Sequence, residues 1–83
     1  MGQERANVIF ISEPCGINVD LDIPLDITAN ELVMSLNVAY GLGINTENIK
    51  DCYLKAEDPI ALLRGNKHLE DYGIRNGSTI YHR

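Results

Sequence analysis

Hydrophobic and polar side chains alternate strictly over residues 17–23 of the chain. In chain order, the alternating set is Ile17, Asn18, Val19, Asp20, Leu21, Asp22 and Ile23. Because successive side chains of a strand point to opposite faces, this pattern predicts a β-strand with one buried and one wet face. Residues 6–12 are rich in β-branched side chains and predict a preceding strand, joined to it through a turn at 13–16. Pro24 is expected to end this hairpin, since proline cannot donate a ladder hydrogen bond.

A helical pattern follows the hairpin. Thr28 and Glu31 have the spacing of a capping box, in which the hydroxyl accepts from an early backbone N–H and the carboxylate reaches back to the cap. The apolar residues that share one arc, and so form the predicted core face, are Leu32, Val33, Leu36, Ala39 and Tyr40. Gly41 or Gly43 is expected to end the helix, and Ile44 is expected to tuck under the sheet.

Two shorter apolar runs follow the helix. Residues 49–55 predict a third strand, in which Cys52 behaves as a small core residue. Residues 60–63 predict a fourth strand, and the segments 56–59 and 64–67 are predicted turns.

The closing segment predicts a tight helical turn, a glycine turn and a last strand. Leu69, Tyr72 and Ile74 are spaced so that one short 3₁₀-like turn points them all inward. Asn76-Gly77 is a strong turn signal, and the alternation over 78–82 predicts the last strand.

The predicted order is strand, strand, helix, strand, strand, turn, strand. A hairpin, a crossover helix and a second set of strands on one sheet form an α+β fold, with a mixed sheet of about five strands packed on one helix. The 83 residues are expected to form a single domain, 1–83, with a disordered N-terminus at 1–5.

The net charge of −5 limits the classes of partner. An acidic protein is a poor match for nucleic acid and for an anionic membrane surface. No apolar stretch approaches the length of a membrane span, and the polar N-terminus lacks the pattern of a signal peptide. We therefore expect a cytoplasmic protein with a protein partner, no nucleic acid and no membrane insertion.

The sequence contains no motif that indicates catalysis or metal binding. Cys15 and Cys52 are expected to be reduced thiols, the first exposed in a turn. The two cysteines and two histidines lack the paired spacing of zinc ligands. Paired carboxylates in an apolar pattern, glycine-rich phosphate loops and His–Cys arrangements are also missing from the sequence. We expect no enzyme activity, no catalytic residue, no cofactor and no metal.

The closing segment resembles the end of ubiquitin, which runs Leu-Ser-Asp-Tyr-Asn-Ile, a few polar residues and Ser-Thr-Leu. The matching residues are Leu69, Asp71, Tyr72, Ile74, Ser78, Thr79 and Ile80. This resemblance implies the ubiquitin-like β-grasp fold. It also implies a structural role for Tyr72, because the equivalent tyrosine anchors a loop in that fold.

The chain resembles more closely the tail-less bacterial ubiquitin-like proteins of the YukD/EsaB family. Gly73 and Asn76-Gly77 fit that family's Leu-x-Asp/Glu-x-Gly-Ile-x-Asn/Asp-Gly segment, and residues 22–28 are also similar to it. The resemblance implies a non-enzymatic protein-interaction module, a cytoplasmic accessory or regulatory component of a Gram-positive type VII secretion system. The implied partner is a membrane-associated component of that machinery.

The last residues of the sequence bear on whether the protein is a ubiquitin-like modifier. The chain ends with Tyr81, His82 and Arg83, whereas ubiquitin-like modifiers and sulfur carriers need a terminal Gly-Gly. With Arg83 as the natural end, we expect no conjugation. Two alternatives stay open: a modifier or sulfur carrier whose tail is absent from this sequence, and a small accessory subunit of a multicomponent enzyme.

Apolar residues outside the predicted core face indicate where a partner binds. Met34, Val38 and Leu42 are spaced i, i+4 and i+8, so they form a stripe on the helix that suits a partner surface. Partial burial under neighbouring loops is the alternative interpretation.

Tyr53 and Tyr81 form a second candidate site. They are expected to be neighbours on the outer face of the sheet, with His82 or His68 nearby. Tyrosine is a common anchor at interfaces, although tyrosine pairs are also ordinary cross-strand packing. The sequence leaves open which surface binds a partner and whether the protein forms a weak homo-oligomer.

Overall fold

The computed structural model describes residues 4–48 and 50–83, and these form one mixed sheet with a single helix on one face. The elements are β1 (Arg5–Ser12), β2 (Ile17–Pro24), α1 (Ala29–Tyr40), β3 (Leu54–Glu57), β4 (Ala61–Leu63), a 3₁₀ helix (Leu69–Tyr72) and β5 (Thr79–His82). The strand order is β2-β1-β5-β3-β4. The pair β1–β5 is parallel and the other pairs are antiparallel. This arrangement confirms the predicted α+β fold.

The N-terminal hairpin extends further than the sequence predicts. β1 and β2 pair along their full length, and Arg5 lies opposite Pro24. The Glu4 carbonyl oxygen accepts a hydrogen bond of 2.9 Å from the Leu25 backbone N–H. Disorder is predicted for residues 1–5, but Glu4 and Arg5 are held by the hairpin, and the rest of that segment lies outside the described residues.

The capping residues set the two ends of α1 as predicted. The Thr28 hydroxyl accepts from the Glu31 N–H at 3.1 Å, and the Glu31 carboxylate accepts from the Thr28 N–H at 3.0 Å, which confirms the capping box. The Thr28 backbone N–H and the Thr28 hydroxyl both donate to the Glu31 carboxylate, and these two bonds lower the pKa of Glu31 because they favour its ionised form. Gly41 ends the helix in a left-handed conformation, with a φ of 62°. Ala39 is exposed instead of buried, because it lies at the edge of the apolar arc in the last turn.

The core lies between α1 and the inner face of the sheet. Phe10 and Ile80, on the two central strands, are fully buried, and the Phe10 ring lies 5.5 Å from the ring of Tyr40. Ile44 packs partly buried against this core, as expected. The other core residues are Ala6, Val8, Ile23, Leu25, Ala29, Leu32, Val33, Leu36, Leu42, Cys52, Leu54, Ala56, Leu63, Leu69 and Ile74.

β3 begins at Leu54, whereas the sequence predicts a strand over 49–55; residue 49 itself lies outside the described residues. The Asn48 carbonyl accepts from the backbone N–H groups of Asp51 and Cys52 at 2.9 and 3.0 Å. These two N–H groups therefore form hydrogen bonds within a turn, and they are not available to pair with a neighbouring strand. Cys52 is buried as predicted, but it lies in this turn and not in a strand.

β4 begins one residue later than predicted, at Ala61. Ile60 belongs to the turn that joins β3 to β4, in which Asp58 has a φ of 62° and the bond between Asp58 and Pro59 is cis. This turn carries the Ile60 side chain out of the sheet.

The closing segment adopts the predicted 3₁₀ helix, glycine turn and strand. Leu69 and Ile74 are buried, and Gly73, with a φ of 80°, ends the 3₁₀ helix. The Tyr72 hydroxyl donates to the Arg64 carbonyl at 2.8 Å, so Tyr72 holds the loop that follows β4.

Two polar side chains tie the last turn to the sheet. The Asn76 side-chain oxygen accepts from the Asn7 backbone N–H at 2.8 Å. The Ser78 hydroxyl is buried, donates to the Asp58 carbonyl at 2.8 Å and accepts from the Arg75 N–H at 3.0 Å. The start of β5 is therefore fixed by side chains as well as by its strand neighbours.

Candidate interaction surface

The sheet has one face covered by α1 and one that is uncovered. The alternation along β1 places Phe10 against α1 and points Ile9 and Ile11 the opposite way, where they are half-buried and outside the core. We call this side the outer face. In the part of the chain that the structure describes, no helix or strand packs over it.

The strand registers arrange the outer-face side chains in two rows across the sheet. The first row, in sheet order, is Asn18, Ile11, Tyr81, Lys55 and Leu62. The second row is Asp20, Ile9, Thr79 and Glu57. The β2 edge therefore carries Asp20, the centre is mainly apolar, and β3 carries one charge of each sign, Lys55 and Glu57.

A shallow groove of about 340 Å³ lies at the β4 end of the outer face. Its lining includes Lys55, Ile60, Leu62, Tyr81 and Arg83. The Ile60 and Leu62 side chains are 89% and 41% exposed, and adjacent exposed aliphatic side chains are typical of interaction sites.

A second groove, of about 320 Å³, brings the predicted tyrosine pair together. Tyr53 and Tyr81 both line it, together with His82. Tyr81 is paired in the sheet with Lys55 and not with Tyr53, so the two tyrosines are diagonal neighbours. His68 lies elsewhere, in a bridge to the residue that caps α1.

Tyr81 is held between an acidic and a basic side chain. Its hydroxyl donates to the Glu57 carboxylate at 2.9 Å, and this bond raises the pKa of Tyr81 because it favours the protonated phenol. The Arg83 guanidinium lies 4.8 Å from the ring centroid, and its Nε is 3.5 Å from a Glu13 carboxylate oxygen. The hydrogen bond to Glu57 and the contact with Arg83 together fix the orientation of the Tyr81 ring on the surface.

His82 lies at the end of β5, opposite Ser12 in the parallel register with β1. Its Nδ1 is 2.8 Å from the hydroxyl oxygen of Ser12, which is fully buried. Burial lowers the pKa of His82, since desolvation disfavours the imidazolium form.

The predicted helix stripe is reduced to two residues. The Met34 and Val38 side chains are exposed, by 46% and 84%. Leu42 is only 7% exposed, which corrects the prediction that it belongs to an exposed stripe. The left-handed Gly41 changes the direction of the chain, so Leu42 leaves the helical spacing and enters the core.

The titratable side chains do not form a metal cluster in residues 4–48 and 50–83, where no group of three or more His, Cys, Asp or Glu could hold an ion. Cys15 is exposed, and the buried Cys52 thiol donates to the Asn30 side-chain oxygen at 3.2 Å. Among the same residues, no helix has the length and apolar character needed to cross a membrane.

Four apolar residues of the outer face are not predicted from the sequence: Ile9, Ile11, Ile60 and Leu62. A signal for the first two exists, because residues 8–11 are apolar without alternation, which is typical of a strand that is apolar on both faces. The exposure of Ile60 has no local signal, since it depends on the shape of the turn before β4.

Comparison with protein families relates this architecture to known proteins. The family model described as "WXG100 protein secretion system (Wss), protein YukD" matches residues 13–81. The chain belongs to the YukD family. This match confirms the resemblance found in the closing segment. A comparison with curated proteins gives no match.

Solved structures share the fold of this YukD family member. The ubiquitin-like domain from tubulin-binding cofactor B is 19% identical, with a TM-score of 0.75 over 96% of this chain and 89% of that one. The C-terminal ubiquitin-like domain of mouse tubulin-specific chaperone e is 11% identical, with a TM-score of 0.72 over 98% and 87%. The UBL domain of Plasmodium falciparum Dsk2 is 21% identical, with a TM-score of 0.60 over 96% and 100%. At these identities the likeness shows the ubiquitin-like β-grasp fold alone.

Proposed function

We propose that this protein is a non-enzymatic docking module of the WXG100 secretion machinery, the type VII system of Gram-positive bacteria. The observation that carries the proposal is the YukD family match over residues 13–81. In this role the protein is a cytoplasmic accessory or regulatory component, is not conjugated to other proteins, and binds a membrane-associated component of the machinery.

The partner contact is assigned to the exposed pair Met34 and Val38 on α1. The two side chains are one helical turn apart and point away from the sheet, so they suit an apolar groove on a partner. Burial of such side chains contributes about 25 cal/mol per Å², and the flexible thioether of methionine adapts to irregular surfaces. Tyr53 and Tyr81 provide a second candidate contact on the outer face.

Affinity capture of the tagged protein from native cytoplasmic and membrane fractions, read by mass spectrometry, tests the proposal. One bait carries Met34→Asp and Val38→Asp. A matched control bait carries Ser35→Asp and Ala39→Asp, which add the same charges at exposed positions of the same helix without removing a large apolar side chain. We expect secretion-system components with the wild type and the control, and their loss from the first bait.

Other outcomes contradict specific parts of the proposal. Capture by all three baits would move the contact away from α1, and a Tyr53→Ala/Tyr81→Ala bait would then test the outer face. Intact-mass analysis that finds the native protein in a tailed form or in covalent adducts would replace the docking role with that of a modifier.

A further inference from the structure

β2 forms one edge of the sheet, and the backbone groups of its alternate residues point away from the sheet. On β1, the Ile9 N–H donates to the Ser78 carbonyl at 2.9 Å, so the backbone groups of Ile9 point to β5. The residues on either side of Ile9 therefore bond to β2, where they lie opposite Leu21 and Val19. The residues of β2 whose backbone groups point outward are Asn18, Asp20 and Asp22.

Most of these outward groups have no partner in the part of the chain that the structure describes. The Asp22 carbonyl accepts from the Arg5 guanidinium at 3.1 Å. The N–H of Asp22 and both backbone groups of Asn18 and of Asp20 bond to no other described residue. Unpaired groups along a sheet edge are a template for a further strand. The opposite edge offers less, because β4 has only three residues.

The side chains of β2 on the α1 side of the sheet are all aliphatic. They are Ile17, Val19, Leu21 and Ile23. The first three pack against the core but remain partly exposed, since no strand lies beyond them. A further strand with aliphatic side chains on this side would extend the core past β2, and the burial of this apolar surface favours its addition.

The side chains of β2 on the outer face are polar and include two acids. Asp20 is exposed and forms no ion pair with another described residue, whereas Asp22 is paired with Arg5 at 3.2 Å. A second copy of this chain is therefore a poor occupant of the edge. Antiparallel pairing of β2 with β2, in the two most extensive registers that keep the aliphatic sides together, sets Asp20 opposite itself or opposite Asp22. Like charges directly opposite each other are destabilising.

We propose that the β2 edge binds an extended segment of a partner protein in which aliphatic and basic side chains alternate. The segment adds to the five-stranded sheet as a further strand, antiparallel to β2 because antiparallel pairs are slightly more stable per residue. Its aliphatic side chains lie beside Val19 and Leu21, and its basic side chains lie beside Asp20. The inference concerns a surface other than the exposed pair on α1, and it does not rest on the proposed secretion role.

Amide hydrogen exchange, followed by NMR on the ¹⁵N-labelled chain, first tests whether the edge is open. We expect the outward amides of Asn18, Asp20 and Asp22 to exchange roughly tenfold or more faster than those of Val19 and Leu21, which bond to β1. Protection of the outward amides that increases with protein concentration would show that a second copy occupies the edge, and it would overturn the proposal.

The binding probe is an acetylated and amidated peptide of alternating valine and lysine, with the same length as β2, eight residues. In excess at low ionic strength, it is expected to slow exchange at the three outward amides several-fold and to leave the amides of α1 unchanged. A peptide of alternating valine and glutamate is expected not to bind, because its acids would lie beside Asp20. No protection by the lysine peptide, or equal protection by both peptides, would overturn the proposal.

Two N-methylated forms of the lysine peptide separate strand addition from charge attraction alone. In antiparallel addition the lysines lie opposite the outward residues of β2, so the lysine backbone N–H groups bond to β2 and the valine N–H groups point away. Methylation of the lysine backbone nitrogens is expected to weaken binding roughly tenfold or more, whereas methylation of the valine nitrogens preserves it. Both peptides keep the same charges and side chains. Equal binding by the two, or the reverse order of affinity, would overturn the proposal.

Substitutions at Asp20 test the same contact from the side of the protein. Asp20→Asn removes the charge and keeps the outward N–H, and it is expected to weaken peptide binding about threefold. Asp20→Pro also removes that N–H, which does not bond to β1, and it is expected to weaken binding roughly tenfold beyond Asp20→Asn.

Asp51→Asn is the matched control, since it makes the same change of charge at an exposed position outside the strands, and it is expected to leave binding unchanged. Circular dichroism confirms that each variant is folded. Equal affinity of Asp20→Pro and Asp20→Asn, or a loss with Asp51→Asn as large as that with Asp20→Asn, would overturn the proposal.

Discussion

The covered and uncovered faces of the same sheet differ in what their apolar side chains do. On β1, Phe10 is fully buried beneath α1, whereas its neighbour Ile9 points to the outer face and remains partly exposed. On β5, Ile80 and Tyr81 show the same contrast. Along residues 8–11 of β1, the sequence supplies both faces with large apolar side chains. The position of α1 decides which of them stabilise the fold and which remain available for binding.

Substitution on the two faces of β1 should give the largest contrast. Phe10→Ala is expected to lower the free energy of unfolding by about 3–5 kcal/mol, because it leaves a cavity against Tyr40. Ile9→Ala, on the outer face, is expected to cost about 1 kcal/mol. Urea denaturation measures both values, and equal losses would contradict the assignment of the faces.

A buried hydroxyl should also matter more than an exposed one. Ser78→Ala leaves the Asp58 carbonyl and the Arg75 N–H without the partner they now have, so we expect a loss of about 1–3 kcal/mol. Ser35→Ala, on the exposed side of α1, is expected to stay within about 0.5 kcal/mol of the wild type. A harmless Ser78→Ala would show that water reaches this turn.

Loss of the Thr28 cap should destabilise α1, the helix that covers one face of the sheet. Thr28→Ala is expected to cost about 1 kcal/mol, and Thr28→Ser should retain most of the stability. The Thr28 bonds lower the pKa of Glu31 in the folded state. The stability that ionised Glu31 contributes is therefore fully present above its ordinary pKa of 4.5, and it is lost as the pH falls through the lower pKa of the folded state. Thermal unfolding below neutral pH should show a weaker acid dependence in Thr28→Ala than in the wild type.

The smallest expected effect is at His82, at the end of β5. Burial lowers the pKa of His82 from 6.5, so the folded state binds a proton less readily than the unfolded chain. The stability associated with neutral His82 is present above pH 6.5 and is lost as the pH falls through the folded pKa. His82→Asn should flatten the dependence of the urea midpoint on pH in this window. An unchanged slope would assign the dependence to other groups.

Much of the fold is predictable because its signals are local. The alternation of β2, the capping box at Thr28, the stop at Gly41 and the glycine turn before β5 each depend on a few neighbouring residues. The start of β3 is not predictable in the same way. Apolar character favours a strand over 49–55, but backbone bonds to Asn48 form a turn there instead.

The candidate site is less predictable than the fold. Met34 and Val38, which the helical spacing puts outside the core face, are exposed, and Tyr53 and Tyr81 line one groove. Leu42 is wrongly placed on the exposed stripe, because the helical spacing ends at Gly41. Partner binding by any of these residues stays a prediction.

The sequence by itself determined the hairpin, the capped helix and the closing turn, since each is specified by periodicity and by side chains that bond to nearby backbone. Only the tertiary structure decided that β1 and β5 lie side by side in parallel, which joins Ile9 and Ile11 to Thr79 and Tyr81 as the centre of the outer face. The physical reason is that strand register and burial are set by contacts between distant parts of the chain. No local pattern contains that information.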